Sequence, residues 1–194
     1  MIFSLYLCKK LYMNKRTLIV ALLLLIPMVA GSQPAASQSV GVVKWYTFEE
    51  AVKLAGKNPR KLFIDVYTDW CGWCKKMDQN TFTHPVIAEY LNKNFYPVKF
   101  NAESTSPIEF AGKTFINEGN AGARSTHQLA IALLQGRLSY PSTVYMNEQL
   151  QLLTPVAGYM EPKAMEPILS FFATDKYKTV SWEDFRKTFV SKIQ

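Results

Sequence analysis

The chain has 194 residues, of which 48% are apolar and 13% aromatic, so it can bury the core of one globular domain, and intrinsic disorder is excluded. Its formal charge of +7 is partly an effect of the N-terminus: four basic residues and no acidic one lie within the first 16 positions, and 18 basic and 15 acidic side chains follow them. Because those charges are scattered rather than grouped, no nucleic-acid partner is expected.

Residues 1–32 have the pattern of a secretory signal peptide. Lys15 and Arg16 precede a run of 13 apolar residues at 18–30, and small residues follow where cleavage can occur. A membrane span needs about 20 apolar residues, so a cleaved signal is favoured over an uncleaved anchor. Met13 lies directly before this pattern and is an alternative start. We therefore expect an exported protein, with the bacterial periplasm as its compartment.

The next segments predict a strand–helix–strand unit. After a small, polar linker at 33–43, Thr47 and Glu50 form a capping box for a first helix. Residues 61–67 are apolar on both faces, as in a buried central strand. The predicted elements that follow are a helix from the cysteine pair to about Asn80, a helix beginning at 83–85 and a strand at 94–101.

The second half of the chain predicts further short elements. Residues 102–125 are irregular, with a small hairpin at 110–115 and a loop at 117–122. The elements expected after them are a helix at 126–135, a hairpin of strands at 142–146 and 150–156, a helix at 161–173 and a short helix from Ser181.

Two cysteines separated by two residues indicate redox chemistry. Cys8 lies in or before the signal, which leaves Cys71 and Cys74 in the mature domain. The helix dipole and free backbone amides at a helix start favour a thiolate. We therefore expect Cys71 to be the exposed attacking thiol and Cys74 the more buried resolving thiol.

Two other readings of the cysteine pair are weaker. A structural zinc site needs four ligands, but the only histidines, His84 and His127, lie 43 positions apart and are expected at the surface or as helix caps. An inert disulfide between Cys71 and Cys74 would close a very small loop and stabilise little.

Two acidic residues are candidates for proton transfer. Asp65 is the only charge inside the buried strand, where a carboxylate is costly unless it is paired or protonated. A raised pKa would let it accept the proton of the resolving thiol, while the alternative is a strand-end carboxylate facing solvent. Asp78 follows Cys74 by one helical turn, and either assists through water or is an ordinary surface carboxylate.

One proline precedes a predicted strand in an otherwise good strand pattern. A cis peptide between Tyr140 and Pro141 would explain it, and so would a trans loop proline.

Three separated motifs resemble the thioredoxin superfamily in the right order. Residues 62–75 resemble its strand, buried Asp, Trp and cysteine pair, residues 139–144 its cis-proline loop, and residues 157–159 the glycine after its last strand. The likeness is closer to the periplasmic C-terminal thioredoxin domain of the disulfide reductase DsbD and to related small exported proteins, in the segments 69–75, 80–86 and 158–160.

This resemblance implies an α/β thioredoxin fold, with a central mixed β-sheet flanked by helices and an insertion before the cis-proline loop. It implies that Asp65 and Asp78 lie near the resolving cysteine and that Pro141 faces the cysteine pair. The substrate-binding residues expected from it are Trp70, Gly72, Trp73, Tyr140 and Pro141.

The predicted domain organisation has four parts. A signal peptide at 1–32 and a linker at 33–43 precede a thioredoxin-like domain at 44–175, which contains the insertion around 102–125. A C-terminal helical extension occupies 176–194.

Three functions stay open at this point. The first is a thiol-disulfide reductase for disulfide- or thiol-containing proteins, with a separate membrane electron donor. The second is an oxidase or isomerase, because a Gly-Trp pair between the cysteines differs from the usual Gly-Pro and leaves the direction open. The third is a non-catalytic binding module with a surplus of aromatic residues, although most of those are expected in the core or as caps. No metal or organic cofactor beyond the Cys71–Cys74 disulfide is expected, and the oligomeric state is left open.

Overall fold

The computed structural model describes residues 41–119 and 124–194. The predicted signal peptide with Cys8 and Met13, most of the predicted linker, and residues 120–122 of the predicted loop lie outside the described residues.

A four-stranded mixed sheet forms the centre of the described chain, in the strand order β2-β1-β5-β6. Strand β1 (Lys61–Tyr67) runs parallel to β2 (Phe95–Asn101) and antiparallel to β5 (Ser142–Met146), and β6 (Leu152–Ala157) continues the sheet antiparallel to β5. The fold class predicted from the sequence is therefore confirmed.

Helices cover both faces of this sheet, and the alternation of strand side chains decides which residues face which helices. Leu62, Ile64 and Val66 lie in one buried cluster and Phe63 in the other, so Asp65 shares the face of Phe63. The helices are α1 (Phe48–Lys57), α2 (Gly72–Asn80), α3 (Pro85–Asn94), α4 (Gln128–Leu133), α5 (Pro162–Ala173) and α6 (Trp182–Thr188), with a 3-10 turn at Lys176–Lys178.

Local capping signals set several helix ends. The predicted capping box of Thr47 and Glu50 is present at α1. His84 and His127 are the N-caps of α3 and α4, which confirms the expectation that they cap helices. Helix α4 is shorter than the predicted 126–135: His127 caps its start, and beyond its C-cap Leu134 the next residue, Gln135, adopts φ +53°.

The segment between β2 and α4 contains the predicted hairpin, formed by β3 (Ile108–Phe110) and β4 (Lys113–Phe115). His127 fixes the end of this segment: its Nδ1 accepts the Leu129 amide at 3.1 Å and its Nε2 lies 3.1 Å from the Ser106 carbonyl oxygen. Burial lowers the pKa of His127, which favours the neutral ring that this pair of contacts requires.

The C-terminal residues pack on α5. The Phe171 ring lies 5.3 Å from Trp182 and 5.1 Å from Phe185, and the buried Glu166 carboxylate accepts the Lys192 amide at 2.8 Å. Within the part of the chain that the structure describes, every helix falls short of the length and apolar character that a membrane span demands.

Candidate redox site

The cysteine pair lies where β1 leads into α2. Cys71 is the N-cap of α2, with an extended backbone, and its sulfur accepts the Cys74 amide at 3.0 Å. The two sulfurs are bonded at 2.08 Å, with the Cα atoms 5.3 Å apart, so the structure shows the oxidised state. The first turn of a helix brings residues i and i+3 together, which is why two intervening residues suffice.

The expectation that Cys71 is exposed is wrong for this state, although Cys74 is the more buried of the two. Cys71 is 4% exposed and Cys74 2% exposed, so neither is an accessible thiol. In the disulfide the Cys71 sulfur is tied to Cys74 and directed at the first turn of α2, rather than into solvent.

Asp65 is buried on β1, with 1% of its surface exposed, and it does not face solvent at a strand end. One carboxylate oxygen accepts from Lys99 Nζ at 2.5 Å, and the other has no hydrogen-bond partner among the described residues. Burial raises the pKa of Asp65 to about 6, although the Lys99 ammonium opposes part of that rise. This pKa suits a group that exchanges protons near neutral pH.

Lys99 joins Asp65 to Asp78. Its ammonium also binds the Asp78 carboxylate, which is 41% exposed, so the ion-pair chain leads from the buried strand towards solvent. The aromatic rings of Trp45, Tyr67 and Phe82 lie 4.8 to 5.3 Å from the same ammonium. Burial lowers the pKa of Lys99, but Asp65 and Asp78 outweigh it, so the pKa is raised and the lysine stays charged.

Sequence reasoning missed Lys99. The available signal was that Lys99 is the only charge in the predicted strand 94–101 and that this strand runs parallel to 61–67. In the sheet the two residues are register partners, Asp65 with Lys99.

Trp70 and Tyr140 form one side of the site. Trp70 is 50% exposed, donates its indole N–H to Glu103 at 2.9 Å and meets the Tyr140 ring edge-on at 6.0 Å. The Tyr140–Pro141 peptide is cis, which decides between the two alternatives for this proline. Burial raises the pKa of Tyr140, so its phenol stays protonated.

Gly72 and Trp73 lie between the two cysteines, in the first turn of α2. Trp73 is 57% exposed, and its ring lies 5.2 Å from Tyr159. Gly72 is exposed, and a Cβ placed there would have no heavy atom within 4 Å. Of the predicted substrate-binding residues, Trp70, Gly72 and Trp73 are neighbours of the two cysteines in the chain, and Tyr140, which precedes the cis-proline Pro141, contacts Trp70.

In residues 41–119 and 124–194, no group of three or more His, Cys, Asp or Glu side chains lies close enough to hold a metal ion.

The chain was compared with known families and proteins. The family model Thioredox_DsbH, described as "Protein of unknown function, DUF255", matches residues 33–194. An uncharacterized protein of Archaeoglobus fulgidus is 26% identical over 136 residues, which cover 70% of this chain and 96% of that protein. Spermatogenesis-associated protein 20 of Rattus norvegicus is 30% identical over 81 residues, or 41% of this chain, and the match spans only 10% of its own length.

Solved structures agree on the fold. A thioredoxin-fold protein from Helicobacter pylori aligns with a TM-score of 0.51 at 17% identity, over 67% of this chain and 80% of that one. A thioredoxin from Thermus thermophilus gives the same TM-score of 0.51 at 14% identity, over 69% of this chain and 88% of that one. Together with the family model Thioredox_DsbH over residues 33–194, this confirms the resemblance to the thioredoxin superfamily.

Proposed function

The chain belongs to the thioredoxin-fold family Thioredox_DsbH, and on that premise we propose that it is an exported thiol-disulfide oxidoreductase that reduces disulfides in periplasmic proteins. The observation that carries the proposal is the Cys71–Cys74 disulfide at the start of α2, with the buried Asp65 on the sheet face that packs against the same helix. The signal pattern at 1–32 supports export.

The reaction begins with the reduced pair. The Cys71 thiolate attacks one sulfur of a partner disulfide, forms a mixed disulfide and releases the other partner sulfur as a thiolate, which takes a proton from water. Cys74 then loses its proton and attacks the Cys71 sulfur, which expels the second partner sulfur as a thiolate that takes a proton from water. Two electrons pass to the partner, and Cys71 and Cys74 become the disulfide seen in the structure. A separate membrane dithiol donor restores the reduced pair.

The helix start activates the first thiol. The Cys74 amide that donates to the Cys71 sulfur at 3.0 Å would also stabilise a Cys71 thiolate, together with the positive end of the helix dipole. A lower thiol pKa gives more thiolate at neutral pH, and the thiolate is the nucleophile.

Asp65 is the proposed acceptor for the Cys74 proton. With a pKa of about 6, it is mostly ionised at neutral pH and can take a proton as Cys74 becomes a thiolate. Lys99 holds the carboxylate in place, and the half-exposed Asp78 on the other side of Lys99 connects the pair to solvent. Lys99 is a positioning residue, because its contact is with Asp65 and not with the reacting sulfurs.

The reduction potential of the Cys71–Cys74 pair tests the direction of electron flow. We expect about −200 to −270 mV, the range of glutaredoxins and thioredoxins, when the purified domain is equilibrated with glutathione buffers. A reduction potential of about −120 mV would make the protein an oxidase or isomerase instead. A pair that stays oxidised below about −300 mV would indicate a structural disulfide and contradict the proposal.

A further inference from the structure

Two pairs of aromatic side chains lie beside the disulfide, Trp70 with Tyr140 and Trp73 with Tyr159, and the four are here called the aromatic rim. Trp70 contacts Tyr140, and Trp73 contacts Tyr159, with ring centroids 6.0 and 5.2 Å apart. The backbone segments that carry Tyr140 and Tyr159 are joined where β5 begins and β6 ends. There the Gly158 amide donates to the Pro141 carbonyl at 2.8 Å, and the positive φ of Gly158, +99°, permits the turn.

Each end of the aromatic rim carries a cation. The Arg124 guanidinium lies 5.0 Å from the Trp70 ring. The Lys76 ammonium lies 5.0 Å from the Trp73 ring and 5.5 Å from Tyr159. Both cationic side chains are exposed, and the aromatic faces hold them in place next to the disulfide.

Each of three carboxylates near the rim has a hydrogen-bond partner within the protein, and one of them, Asp78, is paired with a cation. Glu103 accepts from the Trp70 indole, Asp69 accepts from the Asn101 side chain at 3.1 Å, and Asp78 binds Lys99. Arg124 and Lys76, in contrast, form no ion pair within residues 41–119 and 124–194, and residues 1–40 and 120–123 contain no Asp or Glu. Arg124 and Lys76 are therefore cations on an aromatic base that are free to pair with a partner carboxylate, while Glu103 and Asp69 keep their negative charges on the Trp70 side.

We propose that the aromatic rim and its two cations recognise a partner polypeptide that carries acidic residues on both sides of its reactive cysteine. The inference rests on the proposed exchange at Cys71 and names the class of partner for it. A partner segment laid across the disulfide places one flank over Trp70 and Arg124 and the other over Trp73 and Lys76. Its carboxylates then gain charge-assisted hydrogen bonds from cations that the rings have already ordered.

Three peptides of equal length, each with one disulfide, test the proposal. They carry Asp, Asn or Lys on both sides of the reactive cysteine, and the rate constant for their reduction by the reduced full-length protein is measured at low salt. Each rate is divided by the rate of the same peptide with dithiothreitol, a neutral dithiol, which removes the intrinsic effect of flanking charge on the disulfide. We expect the order Asp, Asn, Lys, with the Asp peptide roughly tenfold faster than the Lys peptide. The ratio should approach one in about 1 M salt.

Charge-reversal variants show whether the preference comes from the rim. Lys76→Glu and Arg124→Glu should each lower the Asp-to-Lys rate ratio by roughly threefold to fivefold, and Lys76→Gln and Arg124→Gln by less. Lys53→Glu is the matched control, because Lys53 is exposed on α1 and the substitution changes net charge equally. Equal normalised rates for the three peptides, or an equal loss of preference in Lys53→Glu, would overturn the proposal.

The same measurements separate this inference from the proposed function. If the protein reduces the peptides without regard to flanking charge, only the recognition of acidic partners fails. If it reduces neither the peptides nor oxidised glutathione, the oxidoreductase function fails, and the inference fails with it.

Discussion

Replacing Cys71 by serine is expected to abolish disulfide exchange, whereas replacing Cys74 by serine should stop the reaction at a mixed disulfide. The loss in Cys71→Ser should be on the order of 10³-fold or more, because a hydroxyl at the start of α2 does not ionise near neutral pH and cannot replace a thiolate nucleophile. Cys74→Ser retains the attacking thiol and its helix-start environment, so the first covalent step should proceed. Resolution then fails, because no second thiol follows at i+3.

The measurement is the accumulation of a covalent adduct with a single-disulfide peptide, detected by mass, together with the rate of peptide thiol release. Cys74→Ser should form one adduct per chain at Cys71, and Cys71→Ser should form none at Cys74. Cys8→Ser is the matched control, since it removes the remaining cysteine from the full chain and should leave turnover intact. Adducts on Cys74 instead of Cys71 would reverse the assigned roles.

A further variant, Cys71→Ala, distinguishes a catalyst from a binding module. Trp70 and Trp73 are half-exposed, as the side chains of a binding surface need to be. Their exposure supports the binding-module alternative more strongly than the sequence alone does. A binding module would keep its full activity in Cys71→Ala, whereas an oxidoreductase would lose it while retaining non-covalent affinity for its partner.

Features encoded by neighbouring residues were predictable from the sequence. The capping box at Thr47, the strand at Lys61–Tyr67 and the helix that begins behind Cys71 all depend on patterns within a few residues, and the structure has them at the expected places. The side of the sheet that Asp65 occupies also follows from strand alternation.

Features that depend on distant contacts were not predictable in the same way. Lys99 binds a residue 34 positions away, and only the parallel register of β1 and β2 brings the two together. The Trp70–Glu103 hydrogen bond depends on how the segment after β2 folds back beside the site. The exposure of Trp73 depends on its position in α2 relative to Tyr159, which follows β6. Single-sequence periodicity carries no information on these pairings.

Asp65→Asn is expected to stabilise the oxidised protein at pH 8 by up to about 3 kcal/mol. Burial raises the pKa of Asp65 from its ordinary value of 3.8 to about 6. The folded state therefore binds the proton more tightly than the unfolded state does. The favourable contribution of Asp65 is fully present below about pH 4 and is lost as the pH rises through 6, at about 1.4 kcal/mol for each pKa unit of the shift. Asparagine keeps the size of the neutral carboxyl without this loss, and Lys99 retains Asp78 as its partner.

Denaturant unfolding of the oxidised protein at pH 4 and pH 8 measures the effect. The wild type and Asp65→Asn should have nearly equal unfolding free energies at pH 4, and the variant should be the more stable at pH 8. Glu89→Gln is the control, since it removes an exposed carboxylate on α3 and should leave the difference between the two pH values unchanged. A variant that is less stable at pH 8 would mean that the ion pair with Lys99 outweighs the burial of Asp65.

The stabilising substitution should also slow the reaction, which is what distinguishes a proton acceptor from a buried structural carboxylate. In Asp65→Asn, Cys74 loses the group that takes its proton. Resolution of a preformed mixed disulfide should therefore slow by on the order of 10²-fold at pH 7, and the rate should lose its inflection near pH 6. Attack by Cys71 should change far less, because the Cys74 amide and the helix dipole remain. Stopped-flow measurement of the two steps from pH 5 to 9 separates them, and an unchanged resolution rate would show that the Cys74 proton leaves by another path.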